Sequence, residues 1–573
     1  MTAAEDALGR IAATAPVRLK GVGAPEGADG ARASGPVEPV FDEARRRDVQ
    51  GNIVPGFNKD HQHFLFLRIR RPDQARRWVA RIAPSITSMD EALTFVREHR
   101  ARRHTEGVRE PEGLRATWVN IAFSHAGIAK LAGAAEAARF GEQSFRDGLA
   151  ARSTHLGDPT SPEHPGHRDH WLVGGPGNEA DVLVVVAADD AADLAAKVEE
   201  ITAGSGLLDL VFEQEAHTLP GNLAGHEHFG FKDGVSQPGV RGRLSATEDD
   251  FLTTRHLVTD DPLDRRPELF GKPGQLLVWP GQFLLGEPRQ DPQDLIEPEP
   301  ERPERPFPGW AALGSYLVCR RLRQDVPAFW AFATAAAERV GIDPVRFASM
   351  LVGRWPSGAP IMRAVDADDA ALAGDEYANN HFIFDDDTRE VRLRPMKGYG
   401  GDLFPQARAD MLGTVCPHFA HIRKTNPRDS ATDLGKPHDS MLRMILRRGI
   451  PYGPPIAGVD EPDPALVDTE RGLVFAAVMS SIEDQFEFVS RRWCNSAVQP
   501  NLGGADPVIG QRNRDGRRDR SVELATPGGE RLPVEIPADF VVPTGGGYFF
   551  VPPISALTGR LATAAATTSV QPL

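Results

Sequence analysis

Apolar and polar positions along the chain fall into two alternating kinds of run. His63-Phe64-Leu65-Phe66-Leu67-Arg68-Ile69, Trp118 to Phe123 and Asp181 to Ala187 are nearly continuous apolar stretches bounded by turn residues, as buried strands require. Between them, residues 73–98 place Trp78, Val79, Ile82, Leu93, Phe95 and Val96 at helical intervals. His125 to Ala137 does the same behind Ser124, a good N-cap residue, and Ala191 to Ile201 gives another helix before a strand at Leu207 to Gln214. Strand–helix–strand followed by strand–helix–strand predicts an α+β unit of ferredoxin-like order.

The second half repeats that outline. A strand is predicted from Gly314 to Leu322, a helix from Val326 to Val340, an element at Phe347 to Gly353 and a short strand at Met441 to Gly453. A strand at Leu473 to Ser480, a helix from Asp484 to Trp493 and a last strand from Val541 to Phe550 complete it. Long polar stretches interrupt the pattern: a charged loop at 240–268, a Glu/Pro/Arg-rich excursion at 287–308 and a Gly/Pro-rich region at 500–542. The expected organisation is a flexible N-terminal arm (1–40), a first ferredoxin-like domain (41–286), an acidic Pro-rich linker (287–310), a second domain (311–555) and a flexible tail (556–573).

Composition narrows the partners. A formal net charge of -15 argues against nucleic acid or an anionic membrane as the main partner. Three cysteines, Cys319, Cys416 and Cys494, cannot build a disulfide framework, which fits a reducing compartment. No apolar segment is long enough to span a bilayer and the N-terminus carries no apolar signal core, so a cytoplasmic protein is the expectation.

Candidate chemistry concentrates in three segments. Asp410 to Arg428 holds Cys416, His418 and His421 beside a basic turn ended by Asn-Pro. Such a stretch is a helix end with packed histidines, a seat for a metal-ligating imidazole, or part of a zinc site; structural zinc needs four ligands and no second Cys/His pair stands at the usual spacing. Gly230-Phe231-Lys232-Asp233-Gly234-Val235-Ser236-Gln237-Pro238 is either a tight surface turn or a rigid loop presenting an acid. Met441 to Gly453 delivers Arg447 and Arg448 at a strand end before Pro-Tyr-Gly, where an arginine is also commonly just exposed. His155, His164, His167 and His170 step through a proline-punctuated loop without matching carboxylates and read as solvated.

Taken together, these segments resemble the dye-decolorizing (DyP-type) peroxidases. Cys-Pro-His-Phe-Ala-His-Ile-Arg-Lys-Thr-Asn-Pro-Arg (416–428) is similar to the family's proximal haem segment, Gly230, Asp233 and Gly234 to its G-x-x-D-G signature, and 441–453 to its distal segment. Trp279 to Pro288 resembles a further family segment, with Gln282 where glutamate is usual. The likeness runs over roughly residues 45–555, and its long loops are similar to those of the larger bacterial members.

The resemblance implies an α+β fold of two ferredoxin-like domains, antiparallel sheets flanked by helices, of the dimeric α+β barrel superfamily. It implies one noncovalent haem b per chain, consistent with the absence of a C-x-x-C-H attachment sequence. His421, rather than His418, becomes the axial ligand, with Gly234 and Arg447 also at the cofactor. Asp233 becomes a proton relay and Arg447 the stabiliser of charge during O–O cleavage of hydrogen peroxide, with organic reductants such as dyes and phenols as electron donors. Arg448 is the neighbouring alternative to Arg447. A homo-oligomer is a further family expectation. The family often places an Asp before the second-half Gln-Phe helix to accept the axial histidine's other N–H. That position reads as Ser481 here, with Glu483 or Asp484 as substitutes. Trp355, Trp493 and Tyr452 lie near the motifs without standing out as electron relays. The alternative reading is a haem-binding protein for storage, transfer or iron release.

Overall fold

The computed structural model describes residues 38–106, 111, 113–203, 208–247, 250–255, 269–299, 305–385, 404, 407–435, 438–455, 469–511, 520–526 and 528–563. Most of the expected N-terminal arm, much of the charged loop at 240–268, Asp386 and Asp387, and the end of the expected tail lie outside these residues.

Nine strands form one sheet: β1 His61–Ile69, β2 Thr117–Phe123, β3 Val182–Ala188, β4 Leu208–His217, β5 Ser315–Gln324, β6 Leu446–Arg447, β7 Ile450–Tyr452, β8 Gly472–Met479 and β9 Val541–Val551. Their order is β4-β1-β3-β2-β9-β5-β8-β6, with β7 also on β8, and the pairings are antiparallel. Counted within each half, with β6 and β7 taken as one interrupted strand, both halves have the order fourth-first-third-second, the ferredoxin-like arrangement expected from the repeated strand–helix–strand pattern. The halves join where Phe123 of β2 meets Phe550 of β9. Antiparallel β-strands alternate faces, and β5 uses this fully: Leu317 and Cys319 pack into one core, while Arg320, Leu322 and Gln324 face a large cavity on the other side.

Helices flank the sheet. Residues 73–98 form two helices rather than one: α1 Pro72–Ile82 and α2 Met89–Glu106, separated by a tight turn at Ala83–Ser85. Pro84 explains the break, since it lacks an N–H and clashes with the preceding turn. In the second half, α3 (Val326–Val340) starts at Asp325, whose side chain accepts from Ala328 N at 3.1 Å, and ends at Gly341 with φ 71°. α4 (Pro344–Val352) ends at Gly353, where a Cβ would lie 2.3 Å from Ile422 Cγ1. That glycine lets the end of α4 pack directly against the segment carrying His421.

Several polar stretches are more ordered than their composition suggests. The region at 500–542 contains a hairpin of Arg520–Ala525 with Arg531–Ile536, whose Val522, Leu524, Val534 and Ile536 join the second-half core. Met441 and Leu442 end a short helix, His438–Leu442, so the strand expected from 441 begins only at Leu446. The expected Asp484–Trp493 helix forms as two wide π-helical turns, Ile482–Glu487 and Val489–Cys494. In the excursion after residue 286, Glu287 and Gln290 are buried and Trp279 Nε1 donates to Ile296 O at 2.9 Å, so this part is packed. Ile554–Thr558 is a helix with Leu557 and Leu561 fully buried, so the chain is held well past residue 556.

Candidate active site

The cavity against β5 and β8 measures about 1340 Å³. Most of its wall is apolar, with Leu322, Leu473, Phe475, Phe486 and Ile422 among its lining residues. The loop 229–238 from the first half closes one side, and the helix α5 (His421–Thr425) another. The three sequence segments singled out above thus line one space.

Asp233 and Arg447 form an ion pair: Arg447 Nη1 donates to Asp233 Oδ1 at 2.8 Å and Nη2 to Ser236 O at 2.8 Å. Burial pushes the Asp233 carboxyl up, but the Arg447 guanidinium, the Gly234 N–H at 2.6 Å and the positive side of His421 outweigh it, holding Asp233 below the usual carboxylate range. Gly234 has φ 73° and nothing within 4 Å of a would-be Cβ, so the loop turns tightly and leaves open space in front of Asp233. Arg448 points elsewhere. Its guanidinium donates to Asn52 O at 2.7 Å, Ile53 O at 2.6 Å and Arg447 O at 2.9 Å, binding the two halves together.

His421 also lines the cavity. Its Nδ1 lies 2.8 Å from Asp506 Oδ2, and among the described residues its Nε2 has no hydrogen-bond partner. Burial pushes the imidazole down, but the charge and hydrogen bond of Asp506 more than offset it; Asp506 is correspondingly held low. The carboxylate facing His421 is therefore Asp506, not Ser481, Glu483 or Asp484. Ser481 instead caps the turn at Asp484 N and touches Glu142, while Glu483 and Asp484 pair with Arg305. Asp506 lies in a Gly-rich loop, where its Oδ1 accepts from Val508 N at 2.8 Å and Ile509 N at 3.1 Å. This Asx-type turn before a proline is the local signal that the sequence offered.

The rest of the 410–428 segment is structural. His418 places both ring nitrogens on backbone carbonyls, Leu502 O at 2.9 Å and Met411 O at 3.1 Å. Burial pushes the Cys416 thiol up to about 12, far from a metal-binding thiolate. Arg423 donates to Asp410 O and Cys416 O, and Lys424 to Ser496 O, so the basic turn ties its loop together. In the histidine loop, His170 Nε2 donates to Pro162 O and His164 lies 3.3 Å from Asp539.

A second acid lines the cavity that the sequence reading passed over. Glu227 accepts from Phe229 N at 2.9 Å and Phe231 N at 3.0 Å and is bonded by Gln324 Nε2, and among the described residues it forms no ion pair; burial, and to a lesser degree Asp233, push its carboxyl up to about 7. An acid raised in the fold holds its proton where the unfolded chain has lost it. Its contribution to stability is therefore full below the ordinary carboxylate pKa and lost as pH rises through about 7. Denaturant midpoints measured from pH 4 to 8 are expected to fall over this window in the wild type, and that part of the slope should vanish in Glu227→Gln. A slope of equal size in both proteins would show that Glu227 is not the group titrating.

The profile of the DyP dimeric alpha+beta barrel domain matches residues 48–221. The dye-decolorizing peroxidase of Auricularia auricula-judae is 31% identical over 90% of this chain and 86% of its own length. The multifunctional dye peroxidase of Amycolatopsis is 28% identical over 92% and 97%. An ancestral D-type dye-decolorizing peroxidase structure superposes with a TM-score of 0.69 at 31% identity, covering 91% of this chain and 99% of that one. The fungal A. auricula-judae structure gives 0.66 at 27%, covering 90% and 99%. Likeness to the fungal proteins is at least as strong as to the bacterial one, so the expected affinity for long-loop bacterial members in particular does not stand out. With two ferredoxin-like halves in one sheet and relatives matched along nearly their whole length, this chain belongs to the dye-decolorizing (DyP-type) peroxidase family.

Proposed function

We propose that this protein is a haem peroxidase that reduces hydrogen peroxide while oxidising organic reductants such as dyes and phenolic compounds. The observation that carries the reading is the Asp233–Arg447 pair lining the same cavity as an imidazole whose Nε2 is unbonded and whose Nδ1 is held by a carboxylate.

The residues present fit one noncovalent haem b. The cavity exceeds the roughly 300–1,000 Å³ of ordinary small-molecule pockets and is mainly apolar, as a flat macrocycle requires. His421 would hold the iron through Nε2, with Asp506 fixing the tautomer and increasing its basicity. Arg354 and Arg428 also line the space; their guanidiniums bond to backbone carbonyls and to Asn380 Oδ1, and burial pulls them down to about 9 and about 10. Two buried cations of this kind suit the carboxylates of the haem edge. When bound, haem supplies the electron-transfer chemistry that peroxide reduction needs.

The chain's own groups do the rest. Asp233, ionised into acid, accepts a proton from peroxide at one oxygen and returns it to the other. Arg447 orients the peroxide and offsets negative charge on the departing oxygen. Gly234 leaves the peroxide side open and holds Asp233 through its N–H. Among the described residues no helix is long and apolar enough to cross a membrane. Purified protein should show a Soret band and peroxide-dependent dye oxidation favoured by acidic pH; a haem-loaded protein without peroxide turnover would move the reading to haem storage or transfer.

Asp506→Asn should weaken and retune the ligand together. The amide oxygen can keep the caps at Val508 and Ile509, but the negative charge beside His421 is lost and the NH2 group turns to its Nδ1. Haem affinity is expected to fall about 10–100-fold, and the reduction potential of the loaded protein to rise, because a less basic imidazole stabilises the oxidised metal less. Spectroelectrochemical titration checks this; an unchanged potential would remove Asp506 from the tuning role.

A further inference from the structure

Arg447 occupies a short strand, β6, bonded to β8 along one edge only. Antiparallel pairs alternate the edge to which a residue turns its N–H and C=O. Here Arg448 N bonds to Ala476 O at 2.6 Å, so the main-chain groups of Arg447 face the opposite edge, where no strand lies. The side chain of Gln237 fills that place. Its Oε1 accepts from Arg447 N at 3.2 Å and its Nε2 donates to Arg447 O at 3.1 Å, the two-point pattern a neighbouring strand would make. Arg447 O is shared with Arg448 Nη1 at 2.9 Å, but among the described residues Arg447 N has Gln237 alone.

We propose that Gln237 is a positioning residue that acts as a one-residue strand, fixing the Arg447 backbone so that its guanidinium meets Asp233. The consecutive arrangement supports this. Asp233 and Ser236 O hold the guanidinium, Gln237 holds the main chain, and all three belong to one loop from the first half of the chain. The loop is itself braced, since Gln275 Nε2 donates to Gln237 O at 3.3 Å. Registering a first-half acid against a second-half arginine thus rests on a side-chain amide rather than on sheet hydrogen bonds. The inference rests on the reading of Arg447 given above.

The test compares haem-loaded wild type, Gln237→Leu, Gln237→Glu, Arg447→Leu and the double variant Gln237→Leu/Arg447→Leu. Two quantities are read: hydrogen exchange at the Arg447 amide, and the rate of the Soret change on mixing with hydrogen peroxide. Gln237→Leu should speed exchange at that amide by about fivefold to tenfold, the size of one lost hydrogen bond. It should slow the peroxide step by roughly 10- to 100-fold, as small misplacements of a catalytic group do, with the KM for the organic reductant unchanged. Gln237→Glu keeps the acceptor for Arg447 N and should retain the amide protection, recovering part of the rate. In the Arg447→Leu background, Gln237→Leu should add little, because it acts through Arg447. Normal protection in Gln237→Leu, a wild-type peroxide rate in it, or a full additive cost in the double variant would each overturn the proposal while Arg447→Leu stays slow. A wild-type rate in Arg447→Leu would instead overturn the reading of Arg447, and this inference with it. Should Gln237→Leu fail to load haem, Gln237→Met, of similar length and without either polar group, takes its place in the same comparison.

Discussion

Replacing His421 with alanine is expected to leave the protein largely without haem. Among the described residues the Nε2 of this imidazole has no hydrogen-bond partner, and its opposite nitrogen is held by a carboxylate. Removing a carboxylate behind a ligand typically costs about 10–100-fold in metal affinity, and removing the ligand itself should cost more. The His421 side chain is only 28% exposed, and Asp506 behind it is fully buried. Alanine would therefore also leave a buried carboxylate without its partner, which costs stability of its own. His418→Ala is the matched control: it removes two bonds to backbone carbonyls and no group that reaches the cavity, so loading should stay near the wild type. Haem content per chain and the Soret position decide between them. A protein emptied by His418→Ala, with axial imidazole retained in His421→Ala, would sink the assignment.

Much of this arrangement was legible in the sequence, and the reasons differ by element. Strands β1, β2 and β3 of the first half are near-continuous apolar runs because they are covered on both faces, Val182 to Ala188 being buried throughout, whereas edge strand β4 mixes charged and apolar residues. The G-x-x-D-G loop and the segment around His421 were visible as motifs because their chemistry needs fixed spacings within one stretch. What stayed hidden depends on contacts between distant segments. Asp506 lies 85 positions from His421, and only the fold brings the two together. The resemblance puts the acceptor at Ser481, whose own hydroxyl is spent on a helix cap and on Glu142. The hairpin at 520–536 alternates buried and exposed residues over only six positions a strand, among glycines and charges that read as loop. Gln237 was seen only as part of a turn, since an amide that substitutes for a strand has no sequence pattern of its own.

Arg447→Leu should slow the reaction with hydrogen peroxide more than any other change on the peroxide side. Arginine at this place does two separable things. It presents a fixed cation to the charge that develops on the departing oxygen, a contribution whose loss commonly costs about 10²–10³ in rate. It also keeps Asp233 ionised, because burial alone would push that carboxyl up. The second effect has a distinct signature. A depressed acid stays in its proton-accepting form down to its folded pKa, so the acid limb of the wild-type rate lies below the usual carboxylate range. Without Arg447 that pKa rises, and the limb should move to higher pH. Asp233→Asn removes the proton carrier and keeps the shape. It should slow the step by about 10²-fold and abolish the acid limb altogether, while Arg447 continues to bind peroxide. Stopped-flow measurement of the Soret change between pH 3 and 8 separates these outcomes. A limb that stays in place in Arg447→Leu, despite a slower rate, would confine Arg447 to charge stabilisation. Wild-type rates in both variants would defeat the pair as the machinery of O–O cleavage.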